Sequence, residues 1–115
     1  RESRHTVRNE WLPRLRAFKP QLILLSAGFD AHRDDPLGDT RLHEADYAWL
    51  THKIMQTAPQ CGGKIVSVLE GGYHPPSLAA AAAAHLYVLA GLGKPPCAVE
   101  YEQLLKREEE KNQAV

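Results

Sequence analysis

A short apolar run at residues 22–25, Leu-Ile-Leu-Leu, lies between Pro20 and Gly28 and is followed by a loop crowded with acids. An apolar run of this length, with chain breakers on both sides, indicates a strand that is buried on both faces. Such strands are typical of parallel sheets in α/β proteins, where helices cover both sides of the sheet. Ligands of these proteins bind beyond the carboxyl ends of the strands, so Asp30 lies where a functional site is expected.

The rest of the chain supplies the elements that such a sheet needs. The spacing of apolar and β-forming residues predicts helices at about 6–19, 43–58 and 78–92, a second strand at 64–69, and a short charged helix after residue 99. A strand, a helix and a second strand form a βαβ unit whose two strands run parallel. The loops at 27–40 and 70–76 therefore open on one edge of the sheet and bring Asp30 and Tyr73 to the same side.

Composition narrows the class of protein. The 115 residues carry 14 basic and 14 acidic side chains, so no net charge attracts nucleic acid or an acidic membrane. Cys61 and Cys97 lie far apart and form no CxxC pair, which favours a reducing compartment, the cytoplasm, or the nucleus in a eukaryote. The longest apolar stretch, 78–92, is rich in alanine and too short to span a bilayer. The chain begins with Arg, and we expect it to be a fragment or a processed product.

The two loops carry the residues that are suited to chemistry. Carboxylates and an imidazole in the first loop suit a divalent metal, although a solvated turn explains the same residues. These residues are Asp30, His32, Asp34, Asp35 and Asp39. In the second loop, Glu-Gly-Gly-Tyr at 70–73, the tyrosine hydroxyl could donate a hydrogen bond to a developing oxyanion. The alternative is that Tyr73 packs as an apolar plug beside a Gly-Gly turn.

Three segments stand out along the chain: Ser-Ala-Gly-Phe-Asp at 26–30, Asp-Pro-Leu-Gly at 35–38 and Leu-Glu-Gly-Gly-Tyr at 69–73. In this order and spacing, they resemble the zinc-dependent histone deacetylase family. The match is closest to the class II-like branch, which includes bacterial deacetylases and acetylpolyamine amidohydrolases, and it covers about residues 11–92. The resemblance implies an arginase/deacetylase-like three-layer α/β fold with a parallel sheet flanked by helices, which agrees with the predicted βαβ unit.

The resemblance also implies roles for five residues. Asp30 matches a zinc ligand, and Tyr73 matches the tyrosine that polarises the amide carbonyl and stabilises the tetrahedral oxyanion. Gly71 and Gly72 match glycines that line the acyl-lysine channel. Leu37 matches a position on the channel rim, where leucine goes with acyl-lysine deacetylases and glutamate with enzymes that prefer acetylated polyamines. The expected substrate is therefore an acetylated lysine peptide or protein, with an acetylated polyamine as the alternative.

The family's two other zinc ligands, an Asp-x-His pair, and the tandem histidines of its general base lie upstream of these segments. No His-His pair occurs here, and the one Asp-x-His, at 30–32, belongs to the downstream segment. Catalytic zinc takes about three protein ligands. We therefore expect residues 1–98 to be the C-terminal part of a deacetylase-like domain, with a charged helical tail at 99–115, and to be inactive alone.

Two other functions stay open from the sequence. One is a non-catalytic α/β module that binds a partner through an open sheet edge or through the charged tail. The other is a flavodoxin-like binding domain with an acidic metal loop, which would not require Tyr73. An uncovered sheet edge also favours association into a homo-oligomer.

Overall fold

A computed structural model describes residues 2–60 and 64–113, so Cys61 lies outside the described residues. The order of helices and strands agrees with the predicted order, except that the first helix is interrupted by a π-helical segment. The elements are α1 (Glu2–Thr6), the π-helical segment (Val7–Trp11), α2 (Leu12–Phe18), β1 (Leu22–Ala27), α3 (Glu44–Gln60), β2 (Lys64–Leu69), α4 (Pro75–Leu89) and α5 (Ala98–Gln113).

The sheet is parallel, as predicted. In the described part of the chain, β1 and β2 pair from Leu22 opposite Lys64 to Ala27 opposite Leu69, and α3 forms the crossover between them. The carboxyl ends of both strands therefore lie at one edge of the sheet. α3 is the central helix, because α2, α4 and α5 all pack against it. No helix among the described residues is long and apolar enough to cross a membrane.

One face of the sheet is covered and the other is not. Ile23 of β1 is buried with Ile54 and Ala58 of α3. On the opposite face Leu24 is 68% exposed, and Val66 and Val68 of β2 are exposed as well. The prediction that the strand at 22–25 is buried on both faces is therefore wrong for the described residues, because the helices pack around α3 and leave the second face of the sheet uncovered.

A buried carboxylate fastens α5 to the rest of the fold. Glu108 is 5% exposed and accepts hydrogen bonds from Trp49 Nε1 at 2.8 Å and Arg8 Nε at 2.6 Å, while Lys53 Nζ lies 2.9 Å away. Burial acts to raise the pKa of this carboxyl, but the three donors outweigh burial and hold the pKa below its ordinary value. α5 also adds Tyr101 to the apolar core beside α3 and α4. The domain boundary at 98/99 stays a prediction.

We expect Glu108→Ala to destabilise the fold by about 2 kcal/mol. Breaking a fully buried ion pair costs about 3–5 kcal/mol. We expect a smaller cost here because Arg8 and Lys53 keep partial contact with water. The pKa of Glu108 is depressed on folding, so this stability is present above the carboxyl's unfolded pKa and is lost as pH falls through the folded pKa. Denaturant unfolding of the intact protein at neutral and acidic pH measures both effects. Glu109→Ala, at the exposed neighbour, is the control, and equal effects of the two substitutions would contradict the prediction.

Candidate active site

The two loops at the carboxyl edge of the sheet continue the pairing of the strands. Glu70 N–H donates to the Ala27 carbonyl at 3.0 Å, and Phe29 N–H donates to the Gly71 carbonyl at 2.8 Å. The loop after β1 is thereby held against the loop after β2 beyond the last paired residues of the strands. These hydrogen bonds bring Asp30 beside Gly71, so the predicted convergence of the two loops is present in the structure.

The Asp30 carboxylate lies against glycine backbone. A Cβ at Gly71 would stand 2.9 Å from Asp30 Oδ1, and a Cβ at Gly28 would stand 3.1 Å from the same oxygen. A Cβ at Gly38 would stand 1.9 Å from the Asp30 carbonyl oxygen, a distance at which atoms overlap. The three sequence segments thus each contribute a glycine that packs around Asp30. Larger side chains at Gly38 or Gly71 would displace this aspartate.

Gly72 sets the course of the chain into Tyr73. Its φ of 144° lies in the region that favours glycine, and a Cβ there would stand 2.7 Å from Leu78 Cδ1 of α4. The next residue, Tyr73, is 57% exposed, so it does not pack as an apolar plug among the described residues. Tyr73 therefore stands at the sheet edge with its ring accessible to a ligand.

Asp35 joins the two loops, and the sequence indicates only half of this role. Its Oδ1 accepts the Leu37 N–H at 2.9 Å, and its Oδ2 accepts the Tyr73 N–H at 2.7 Å. The first bond is the local turn that Asp before Pro favours, whereas nothing in the sequence indicates the bond to Tyr73. Burial acts to raise the pKa of Asp35, but the two N–H groups, helped by His74 and His32, lower it below its ordinary value.

His32 serves the framework of the first loop. Its ring is buried, Nδ1 accepts the Asp34 N–H at 3.1 Å, and Nε2 lies 3.3 Å from Glu44 Oε1 of α3. Nδ1 therefore acts as an acceptor within the loop, and Nε2 faces Glu44. Leu42 N–H donates to the Ala31 carbonyl at 3.0 Å and secures the same end of the loop.

The remaining residues of the first loop lie at the surface. Leu37 is 71% exposed, which is compatible with a rim position, and Asp34 and Asp39 are exposed as well. In residues 2–60 and 64–113, no group of three or more His, Cys, Asp or Glu side chains could hold a metal ion. The described part of the first loop therefore offers Asp30 as one potential ligand and does not form a complete metal site.

A buried histidine beneath the loops was not indicated by any motif. His85 of α4 contacts Thr51 Oγ1 of α3 through Nδ1 at 2.7 Å and Ser67 Oγ of β2 through Nε2 at 2.8 Å. Thr51 donates its own proton to the Tyr47 carbonyl, so it accepts from His85 Nδ1–H, and Ser67 donates to Nε2. Burial lowers the pKa of His85, which favours this neutral form. The ring thus joins two helices and a strand, and its centroid lies 5.8 Å from that of Phe29 in the first loop.

The fold and this site define the class of protein. Residues 1–89 match the histone deacetylase domain family, and the chain belongs to that family. Two solved structures fit the class II-like branch, as the three sequence segments predict. The HD domain of HDA15 is 40% identical with a TM-score of 0.68, and the match covers 81% of this chain and 25% of that one. Clr3, a histone deacetylase, is 32% identical with a TM-score of 0.68, covering 82% of this chain and 16% of that one.

Curated relatives agree with this assignment. Type-2 histone deacetylase 2 of Dictyostelium discoideum is 56% identical over 66 residues, which are 56% of this chain and 4% of that protein. Histone deacetylase 15 of Arabidopsis thaliana is 44% identical over 80 residues, 70% of this chain and 14% of that protein. The match to an uncharacterised protein of Synechocystis, 46% identical over 76 residues, still covers only 24% of its length. The chain thus spans a small part of the relatives that it matches.

Proposed function

We propose that this chain is the C-terminal part of the catalytic domain of a zinc-dependent deacetylase, which hydrolyses the N-acetyl amide of lysine in proteins to the amine and acetate. Family membership supports the reaction type. The single observation that carries the proposal is the convergence of the three glycines on Asp30 beside the loop that holds Tyr73. A site at the carboxyl ends of parallel strands is where an α/β protein binds its ligand.

Asp30 is the residue that would hold the metal. In the described part of the chain, no hydrogen bond or ion pair of its carboxylate is found, and its Oδ1 lies beside Gly28 and Gly71. Zinc would supply Lewis acidity and a bound water whose pKa is lowered to about 7. Since catalytic zinc takes about three protein ligands, the proposed activity requires further ligands and a base, and we expect the 115 residues to be inactive by themselves.

Tyr73 would act on the carbonyl oxygen of the substrate. A phenol hydroxyl can donate a hydrogen bond to the oxygen as negative charge develops on it, and a donor fixed in advance stabilises the transition state more than the ground state. The exposure of Tyr73 at the sheet edge leaves the hydroxyl accessible to a substrate. The family resemblance assigns Gly71 and Gly72 to the wall of the acyl channel, and their lack of side chains lets Asp30 and Leu78 pack against the second loop.

The choice of substrate tests the proposed function. The intact protein is the longer protein of which these 115 residues are proposed to be the C-terminal part. We expect this intact protein, loaded with zinc, to hydrolyse an acetyl-lysine peptide faster than an acetylated polyamine. Leu37→Glu should shift the ratio of kcat/KM values toward the cationic polyamine by about tenfold, because a carboxylate at the exposed rim attracts positive charge. Comparative steady-state kinetics on the two substrates give this ratio.

Leu92→Glu is the matched control, because it places the same charge at an exposed leucine beyond α4. A wild-type preference for the polyamine would contradict the lysine assignment. A zinc-loaded protein without activity on either substrate would favour the non-catalytic interaction module, which would bind a partner through the open sheet edge or the charged tail.

A further inference from the structure

One buried carboxylate contacts both loops of the candidate site. Asp35 is 5% exposed, although the neighbouring acids Asp34 and Asp39 lie at the surface. Its two oxygens accept two different backbone N–H groups, that of Leu37 in its own loop and that of Tyr73 in the other loop. A hydrogen bond to an ionised acceptor is about twice as strong as a neutral one, and the 2.7 Å bond to Tyr73 has the short distance typical of that class.

The second loop needs such a restraint. Two glycines precede Tyr73, and glycine permits more backbone conformations than any other residue. α4 begins two residues later at Pro75, and its start is fixed by Ser77 N–H and the His74 ring. Tyr73 therefore connects the two conformationally free glycines to the fixed start of α4. The hydroxyl lies at the far end of the side chain, so a small rotation of the backbone at Tyr73 moves it a long way.

We propose that Asp35 is a positioning residue, whose buried carboxylate fixes the backbone of Tyr73 and of the rim residue Leu37 together and so aligns the tyrosine hydroxyl with the substrate carbonyl. This proposal rests on the deacetylase function proposed above. Asp35 does not touch the substrate and acts through Tyr73. Because the same carboxylate accepts both N–H groups, its removal would free the backbone at Leu37 and at Tyr73 together.

Substitutions of Asp35 in the intact zinc-loaded protein test the proposal. Asp35→Ala removes both acceptors and should lower kcat by about 10- to 100-fold, since a misplacement of about 1 Å can cost up to about 100-fold in rate. Asp35→Asn keeps one carbonyl oxygen as an acceptor and nearly the same shape, so it should recover part of this loss. Asp39→Ala, at an exposed acid of the same loop, is the control.

Two further measurements separate positioning from general stability. In a Tyr73→Phe background, Asp35→Ala should lower kcat little further, because the group that it positions is already absent. Hydrogen exchange of the backbone, followed by mass spectrometry on peptides covering 35–38 and 70–74, should be faster in Asp35→Ala and unchanged in Asp39→Ala. Unchanged exchange in the second loop, or an equal loss of kcat with and without the Tyr73 hydroxyl, would overturn the proposal.

The failure of the proposed function is distinguishable from the failure of this inference. If Tyr73→Phe leaves kcat unchanged, the proposed function falls, and the positioning role falls with it. If Tyr73→Phe lowers kcat but Asp35→Ala does not, the proposed function stands and the positioning role alone is overturned.

Discussion

Replacing Tyr73 by Phe in the intact zinc-loaded protein is expected to lower kcat on an acetyl-lysine peptide by about 10²- to 10³-fold, the loss typical of one removed oxyanion donor. The substitution removes only the hydroxyl, and the ring is already exposed, so the packing of the loop is retained. KM is expected to change little, because the hydrogen bond strengthens only as charge develops on the carbonyl oxygen. Steady-state kinetics with a fluorogenic acetylated peptide measure both constants.

Tyr87→Phe provides the matched control for this prediction. Tyr87 lies on α4 and is partly exposed, and its substitution removes the same hydroxyl away from the sheet edge. We expect Tyr87→Phe to retain wild-type kcat. Comparable kinetics of Tyr73→Phe and wild type would contradict the catalytic role and would favour the flavodoxin-like or interaction-module alternative, since neither requires the hydroxyl.

The parallel pairing of the strands could be predicted because it follows from local patterns. The apolar run at 22–25 and the β-forming residues at 64–69 each identify a strand, and a single helical pattern between them leaves the parallel crossover as the consistent arrangement. The approach of Asp30 to the second loop follows from the same topology. The sequence therefore predicts which loop residues lie at the carboxyl edge of the sheet.

The contacts that give the site its shape could not be predicted in the same way. The overlap of a Cβ at Gly38 with the Asp30 carbonyl, and the hydrogen bond from Tyr73 N–H to Asp35, depend on the path of each loop in space. Residue patterns encode period and turn type, so they indicate the Asp35 turn but not its long-range partner. Glu108 shows the same limit, because its sequence context is a charged surface helix, although its carboxylate is buried.

The exposed face of the sheet shows a different limit of prediction from the sequence. The continuous apolar character of β1 predicts burial on both faces, but Leu24 and Val68 stay exposed. The apolar pattern indicates the environment in which the strand is most stable, and the match to the HD domain of HDA15 covers only 25% of that chain. An uncovered apolar face is therefore consistent with a three-layer fold of which the described residues supply one helix layer and two strands.

Asp30→Asn is expected to have the second large effect, a loss of zinc affinity and of activity that exceeds about 100-fold. Substitution of residues that merely support a metal ligand typically costs about 10- to 100-fold, so loss of a ligand's charge should cost more. Asparagine has nearly the shape of aspartate, so contact with the Gly71 backbone and with Gly38 is preserved and the loops should keep their paths. The metal-free forms of variant and wild type should therefore melt at similar temperatures.

Zinc content after dialysis against a graded chelator, measured beside kcat, tests the prediction, with Asp39→Asn as the control for removing a charge from the same loop. A variant that retains full zinc at wild-type affinity would show that Asp30 is not a ligand, and the packing of three glycines around it would then have to serve the loop structure alone.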